Sequence, residues 1–167
     1  MLKASGGLLT ALALPTSVLA SNNPVIIEMK GTARGARVWY TPVGLQVNPS
    51  TVIRFVNRDA GNVHTATAIH PDQQQLPQRI PNKAAPFNSG YLQPDAFWDM
   101  KLDVPGVYDY FCIPHLRAGM LGRILVGEPK DWEISADDYL NDGIPDRALD
   151  ALPSIGDILA DGAISLE

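Results

Sequence analysis

One thiol, one imidazole and one thioether fall within a single short stretch: Cys112, then His115 three places on, then Met120 five further. A thiolate and an imidazole held close together, with a thioether in reach, suit copper that cycles between Cu(I) and Cu(II). Sulfur donors favour the reduced ion, and imidazole binds either state. One more histidine from elsewhere would complete a trigonal His2Cys set with a weak axial methionine. Singly, each residue is ordinary, since cysteine and methionine are common core residues. Their joint occurrence in one loop points to a metal.

Such a loop needs rigid flanks. Tyr108, Tyr110 and Cys112 occupy one side of an alternating run, and Gly122–Val126 begins the next, so the stretch reads as strand, tight loop, strand. Fourteen Pro and fourteen Gly, with few helical stripes, indicate a β-rich fold with many turns. Further β-runs are expected at Val25–Met29, Arg37–Tyr40, Leu45–Val47, Val52–Asn57 and Phe97–Val104. Gly31 to Gly35 and Asn48-Pro49-Ser50 read as breaks. Between Asn57 and Val63 a polar, glycine-containing loop delivers His64 to the start of another β-run. The proline- and glutamine-rich residues 71–94 read as a long surface connection.

The motif Cys-x-Pro-His-x-x-Ala-Gly-Met-x-Gly, preceded by Pro-Gly-x-Tyr-x-Tyr, resembles the copper loop of plastocyanins and pseudoazurins, small blue-copper proteins of the cupredoxin family. Pro105, Gly106, Tyr108, Tyr110, Cys112, Pro114, His115, Ala118, Gly119, Met120 and Gly122 carry the match. The resemblance implies an all-β, cupredoxin-like Greek-key β-sandwich over about residues 22–127. It implies one copper ion held by His64, Cys112, His115 and Met120, because the loop before His64 looks like the one that supplies the family's first histidine. His70 is the competing candidate. At about 3.3 Å per residue, six strand residues would separate the two imidazoles by roughly 20 Å, and His64 lies next to the loop. The resemblance also gives Thr65 a bracing role, although a polar residue in a strand needs none. Pro114 lacks an N–H and so cannot add a hydrogen bond to the Cys112 sulfur.

Three strong ligands and one weak one leave no open position for substrate, which is the property of a carrier and not of an enzyme. The expected function is single-electron transfer between redox proteins, with brief docking at an apolar patch of Pro114, Leu116 and Leu121 around His115. Arg117 beside it could orient an acidic partner or be simply a solvated loop residue. The alternative is a copper delivery or assembly module. A multicopper oxidase would need paired His-x-His motifs, and the chain has three histidines in all. A binuclear copper centre needs two bridging cysteines, and there is one. A reductase with a second copper would need more histidines than these.

Residues 1–20 read as an export signal, with Lys3, an apolar Leu8–Leu14 and a cleavage-like Val18-Leu19-Ala20. The start resembles the end of a twin-arginine signal, whose paired arginines would lie upstream. The expected location is periplasmic or exported, without stable membrane insertion after cleavage, and the expected state is a monomer. Residues 1–127 hold 11 Lys and Arg against 7 Asp and Glu, whereas residues 128–167 hold 2 against 11. The body is too mildly charged, and lacks the basic aromatic stripe, for a nucleic-acid partner. An acidic, partly helical extension is expected over 128–167, with helices at Asp131–Leu140 and Asp146–Leu152. It could pack on the sandwich, dock a partner or stay mobile. Its Asn141–Asp146 stretch is a single copy without the alternating acids of a calcium loop.

Overall fold

The computed structural model describes residues 23–133 and 139–166. The expected export signal lies outside the described residues. Among the described residues, nine strands form two sheets. The first contains β1 (Val25–Gly31), β2 (Val38–Thr41), β4 (Val52–Asn57) and β6 (Phe97–Lys101), in the order β2-β1-β4-β6. The second contains β3 (Gly44–Val47), β5 (Thr67–Ala68), β7 (Gly106–Phe111), β8 (Leu121–Val126) and β9 (Ala163–Ile164), in the order β5-β7-β8-β3-β9. β1 pairs with β4, and β3 with β8, in parallel; the other pairings are antiparallel. The chain thus forms the β-sandwich that the sequence led us to expect, with a helical C-terminal part.

Alternation decides which side chains enter the core. On β4, Ile53 and Phe55 point inwards and are fully buried. Arg54 between them faces out, directly opposite Asp99 of β6, with its Nε and Nη2 each 2.7 Å from a carboxylate oxygen. The same period puts Ile27 and Met29 inside on β1 while Glu28 and Lys30 pair outside. Between the sheets, Tyr40, Phe55 and Tyr110 meet edge to face, with centroids 4.7 to 6.3 Å apart. This aromatic cluster lies beneath the site and shares one apolar core with Cys112 and Met120.

β7 and β8 are buried along their whole length, on both faces. Their inner side chains line the sandwich core, and their outer ones are covered by the C-terminal extension. Val107 and Leu125 pack with Tyr139 and Ile158, and Phe111 and Leu121 pack with Ile144 and Ala148. Asp109, fully buried on the outer face of β7, is gripped by Arg79 at 2.7 and 3.0 Å and by Arg123 at 2.7 and 3.0 Å. The two arginines reach on into the extension. Arg79 donates to the Leu140 carbonyl and to Asn141 Oδ1, and Arg123 donates to the Pro153 carbonyl. Tyr139 donates to the Val107 carbonyl, and β9 adds an edge to β3. The extension is therefore part of the packed fold.

Several expected boundaries move. The anticipated strand Phe97–Val104 ends at Lys101, where Leu102 turns inward and its carbonyl accepts the Ser50 N–H. The helix expected over Asp131–Leu140 is not seen in its described part. A 3-10 turn occupies Pro129–Asp131 and Trp132 is extended, its indole donating to the Val126 carbonyl. The second expected helix shortens to α1 (Asp146–Leu149). An unanticipated α2 (Ile155–Asp161) follows, begun by Ser154, whose Oγ accepts the Asp157 N–H. Gly156 inside it and Pro153 before it conceal it from a propensity reading.

Candidate metal centre

The first donor is delivered from β4. Asn57, the last residue of that strand, staples the following loop: its Oδ1 accepts the Asp59 N–H, and its Nδ2 donates to the Asn62 and Leu92 carbonyls. His64 then exchanges two backbone hydrogen bonds with Leu92 in an isolated bridge. A continuous strand was expected to begin at His64, but regular pairing with β7 starts only at Thr67. The local backbone is held instead by Leu92 and by Tyr40, whose hydroxyl donates to the Thr65 carbonyl at 2.5 Å.

The other donors come from the β7–β8 connection. Cys112 follows β7 directly, and a 3-10 turn over Ile113–Ala118 carries His115 back beside it. Three backbone bonds close the loop: His115 N–H to the Cys112 carbonyl, Met120 N–H to the His115 carbonyl, and Cys112 N–H to the Met120 carbonyl. Gly119 sits at φ 86°, a left-handed conformation that ends the turn and that glycine adopts without strain. Met120, fully buried, is thereby tied to the backbone of Cys112.

These elements bring His64, Cys112 and His115 together, with one donor atom from each all within 4.8 Å of one another. The Cys112 Sγ stands 3.5 Å from His64 Nδ1 and 3.3 Å from His115 Nδ1. Bonds of about 2.0 Å to nitrogen and about 2.3 Å to sulfur, at a tetrahedral to trigonal angle, put N and S roughly 3.5–3.8 Å apart. The 3.5 Å spacing is at the short edge of that range and the 3.3 Å spacing just below it, so a soft cation fits once the donors part slightly. His70 lies elsewhere: its Nδ1 accepts the Asp72 N–H, and it has no part in the cluster.

Burial keeps the three donors in their neutral forms in the metal-free protein. Burial pushes the Cys112 thiol up to about 11, only partly offset by the N–H groups of Thr65 and His115 and by the Thr65 side chain. Burial lowers both imidazoles below their ordinary value; Asp59 partly offsets this at His64, and neighbouring His64 adds to it at His115. Both rings are then neutral at pH 7, with lone pairs free to bind metal.

Thr65 does more than fill a strand. Its N–H donates to Cys112 Sγ at 3.3 Å, and its Oγ1 accepts the Ile113 N–H at 2.9 Å, so it bridges the two donor segments. Thr67 donates to the same oxygen. Sequence reasoning missed Asp59, whose Oδ2 lies 3.0 Å from His64 Nε2. Its position five residues before the histidine, in a polar loop, was the available signal. The patch expected around His115 also needs correcting. Leu121 is 1% exposed beneath the extension, and Leu116 is half covered by it, leaving Pro114 and the half-buried His115 edge.

A sequence model of a family described as copper binding proteins, plastocyanin/azurin family, matches residues 27–127. A pseudoazurin of Methylorubrum extorquens strain AM1 is 25% identical over 143 residues, covering 85% of this chain and 88% of that one. A pseudoazurin of Paracoccus pantotrophus is 31% identical over 127 residues, covering 76% and 77%. Among solved structures, the pseudoazurin of Methylobacterium extorquens AM1 superposes with a TM-score of 0.55 over 77% of this chain and 94% of that one, at 22% identity.

Proposed function

Because this chain belongs to the copper-binding plastocyanin/azurin family, we propose that it is a blue-copper electron carrier, passing single electrons between redox proteins in the periplasm or another exported compartment. Copper is its cofactor. The reading assigns His64, Cys112, His115 and Met120 as its ligands. When bound there, the ion supplies a one-electron Cu(I)/Cu(II) couple. The observation that carries the reading is the convergence of one thiol and two imidazoles in a buried pocket built from two separate segments.

The protein's part is to hold these donors still. Hydrogen bonds from Thr65 to Cys112 and to the Ile113 backbone, and the three backbone bonds of the ligand loop, fix the donor positions before any ion arrives. A site that does not rearrange between oxidation states exchanges electrons with little reorganisation. His64, Cys112 and Met120 are fully buried, whereas His115 is only partly so. The His115 ring edge, next to exposed Pro114, is therefore the natural contact for a redox partner, whose docking would be brief and small.

Repeated reduction and reoxidation in the presence of a copper(I) chelator tests the carrier role. The account expects copper to stay bound, one ion per chain, through many cycles. Transfer of the ion to the chelator at each reduction would favour a copper delivery module instead.

A further inference from the structure

We propose that Asp59 is a positioning residue for the copper site: its buried carboxylate fixes His64 in the tautomer that turns Nδ1 to the ion and biases the site towards Cu(II). This rests on the carrier reading of the same site. The carboxylate is 5% exposed and lies 3.0 Å from His64 Nε2, on the far side of the ring from Cys112, while Nδ1 faces the Cys112 sulfur at 3.5 Å. An acceptor-only group at Nε2 requires the ring proton there, which leaves Nδ1 as a lone pair.

Asp59 itself is held firmly. Its Oδ1 accepts the Gly61 N–H at 2.9 Å and its Oδ2 accepts Asn62 Nδ2 at 2.8 Å, while its own N–H donates to Asn57 Oδ1 at 2.9 Å. Both carboxyl oxygens thus act as acceptors, as those of a carboxylate do.

A second observation is independent of these bonds. A Cβ built on Gly31, at the end of β1, would stand 1.9 Å from Asp59 Oδ2. The strand has no side chain at the one place where the carboxylate must pass to reach the ring. Comparison with Asp109 shows why this anion acts on the site. Asp109 is also buried, but Arg79 and Arg123 neutralise it. Among the described side chains, Asp59 accepts its hydrogen bonds from neutral donors, and the neighbouring Arg58 pairs with Glu28 and Asp95. A buried anion is stabilised by positive charge brought close to it. A copper ion bound across the imidazole would supply such charge, and Cu(II) would supply more of it than Cu(I). A carboxylate on the remote nitrogen of a metal-bound histidine also raises the basicity of the donor nitrogen.

The test combines a metal-free and a metal-loaded readout. Nitrogen-15 NMR of the metal-free wild-type protein should find the His64 proton on Nε2. In Asp59→Asn, Cu(II) affinity should fall about 10- to 100-fold, Cu(I) affinity should fall less, and the reduction potential should therefore rise. Gly31→Ala, which displaces the carboxylate without deleting its charge, should shift potential and Cu(II) affinity the same way. It decides the matter if Asp59→Asn does not fold. A His64 proton on Nδ1 in the wild type, or a folded variant with unchanged potential and Cu(II) affinity, overturns the proposal. A wild-type protein that loses its copper on reduction would overturn the carrier reading instead, leaving the tautomer result to decide the role of Asp59.

Discussion

In the proposed site, Cys112 is the one donor that must lose a proton to bind. Its thiol, at about 11, is protonated at pH 7 in the metal-free protein, whereas both imidazoles are already neutral because burial lowers them. Copper uptake at pH 7 should therefore release about one proton per ion, measurable by calorimetry in buffers of different ionisation heat. Affinity should rise with pH, by roughly tenfold per unit up to about 11, and should fall more steeply in acid, where the imidazoles protonate. Cys112→Ala should abolish the intense thiolate-to-copper colour. Met120→Leu should retain copper and raise the potential, since the lost thioether is a weak ligand. The sequence singled out Cys112, His115 and Met120 as proposed ligands because they lie close together and share one loop motif. Asp59 was hidden, because its role arises from passing Gly31 to reach His64, an approach that exists only in three dimensions.

At the scale of elements, the strand whose two faces meet different environments was the easiest to read. β4 has the bounds Val52–Asn57 that alternation gave it, with Ile53 and Phe55 inside and Arg54 outside. The extension was hard to read, because its short helices are anchored by distant groups: Asp109, Arg79 and Arg123 lie outside it. Its apolar side chains substitute for solvent on the outer face of β7 and β8. Ile158, fully buried against Val107, Leu125 and Tyr139, tests this arrangement. Ile158→Ala should destabilise the metal-free protein by about 2–5 kcal/mol in urea unfolding, while the copper colour persists. A change below about 0.5 kcal/mol, the usual scale for surface substitutions, would mean the extension does not cover the sheet.

Across the whole molecule, the scaffold and the ion make separable contributions. The donors are held by hydrogen bonds among protein groups, and the core beneath them is a closed aromatic cluster. The metal-free protein should therefore remain folded, with near-ultraviolet circular dichroism showing fixed aromatic packing. Copper should raise Tm by mass action, by an amount that grows with the concentration of free ion. The charge split, basic body and acidic extension, is also a whole-molecule property, and the extension narrows the face around His115 by covering Leu121. The extension's acidity was plain in the sequence; which surface it covers was not, since nothing local in residues 139–166 names Phe111 and Leu121 as their neighbours.

The most direct measurement is an optical and paramagnetic-resonance spectrum of the purified, copper-loaded protein under oxidising conditions. Coordination by Cys112 with His64 and His115 predicts an intense thiolate-to-copper absorption in the visible and a cupric signal with unusually small copper hyperfine splitting. A colourless protein, or the wide splitting of an ordinary cupric site, would contradict the account.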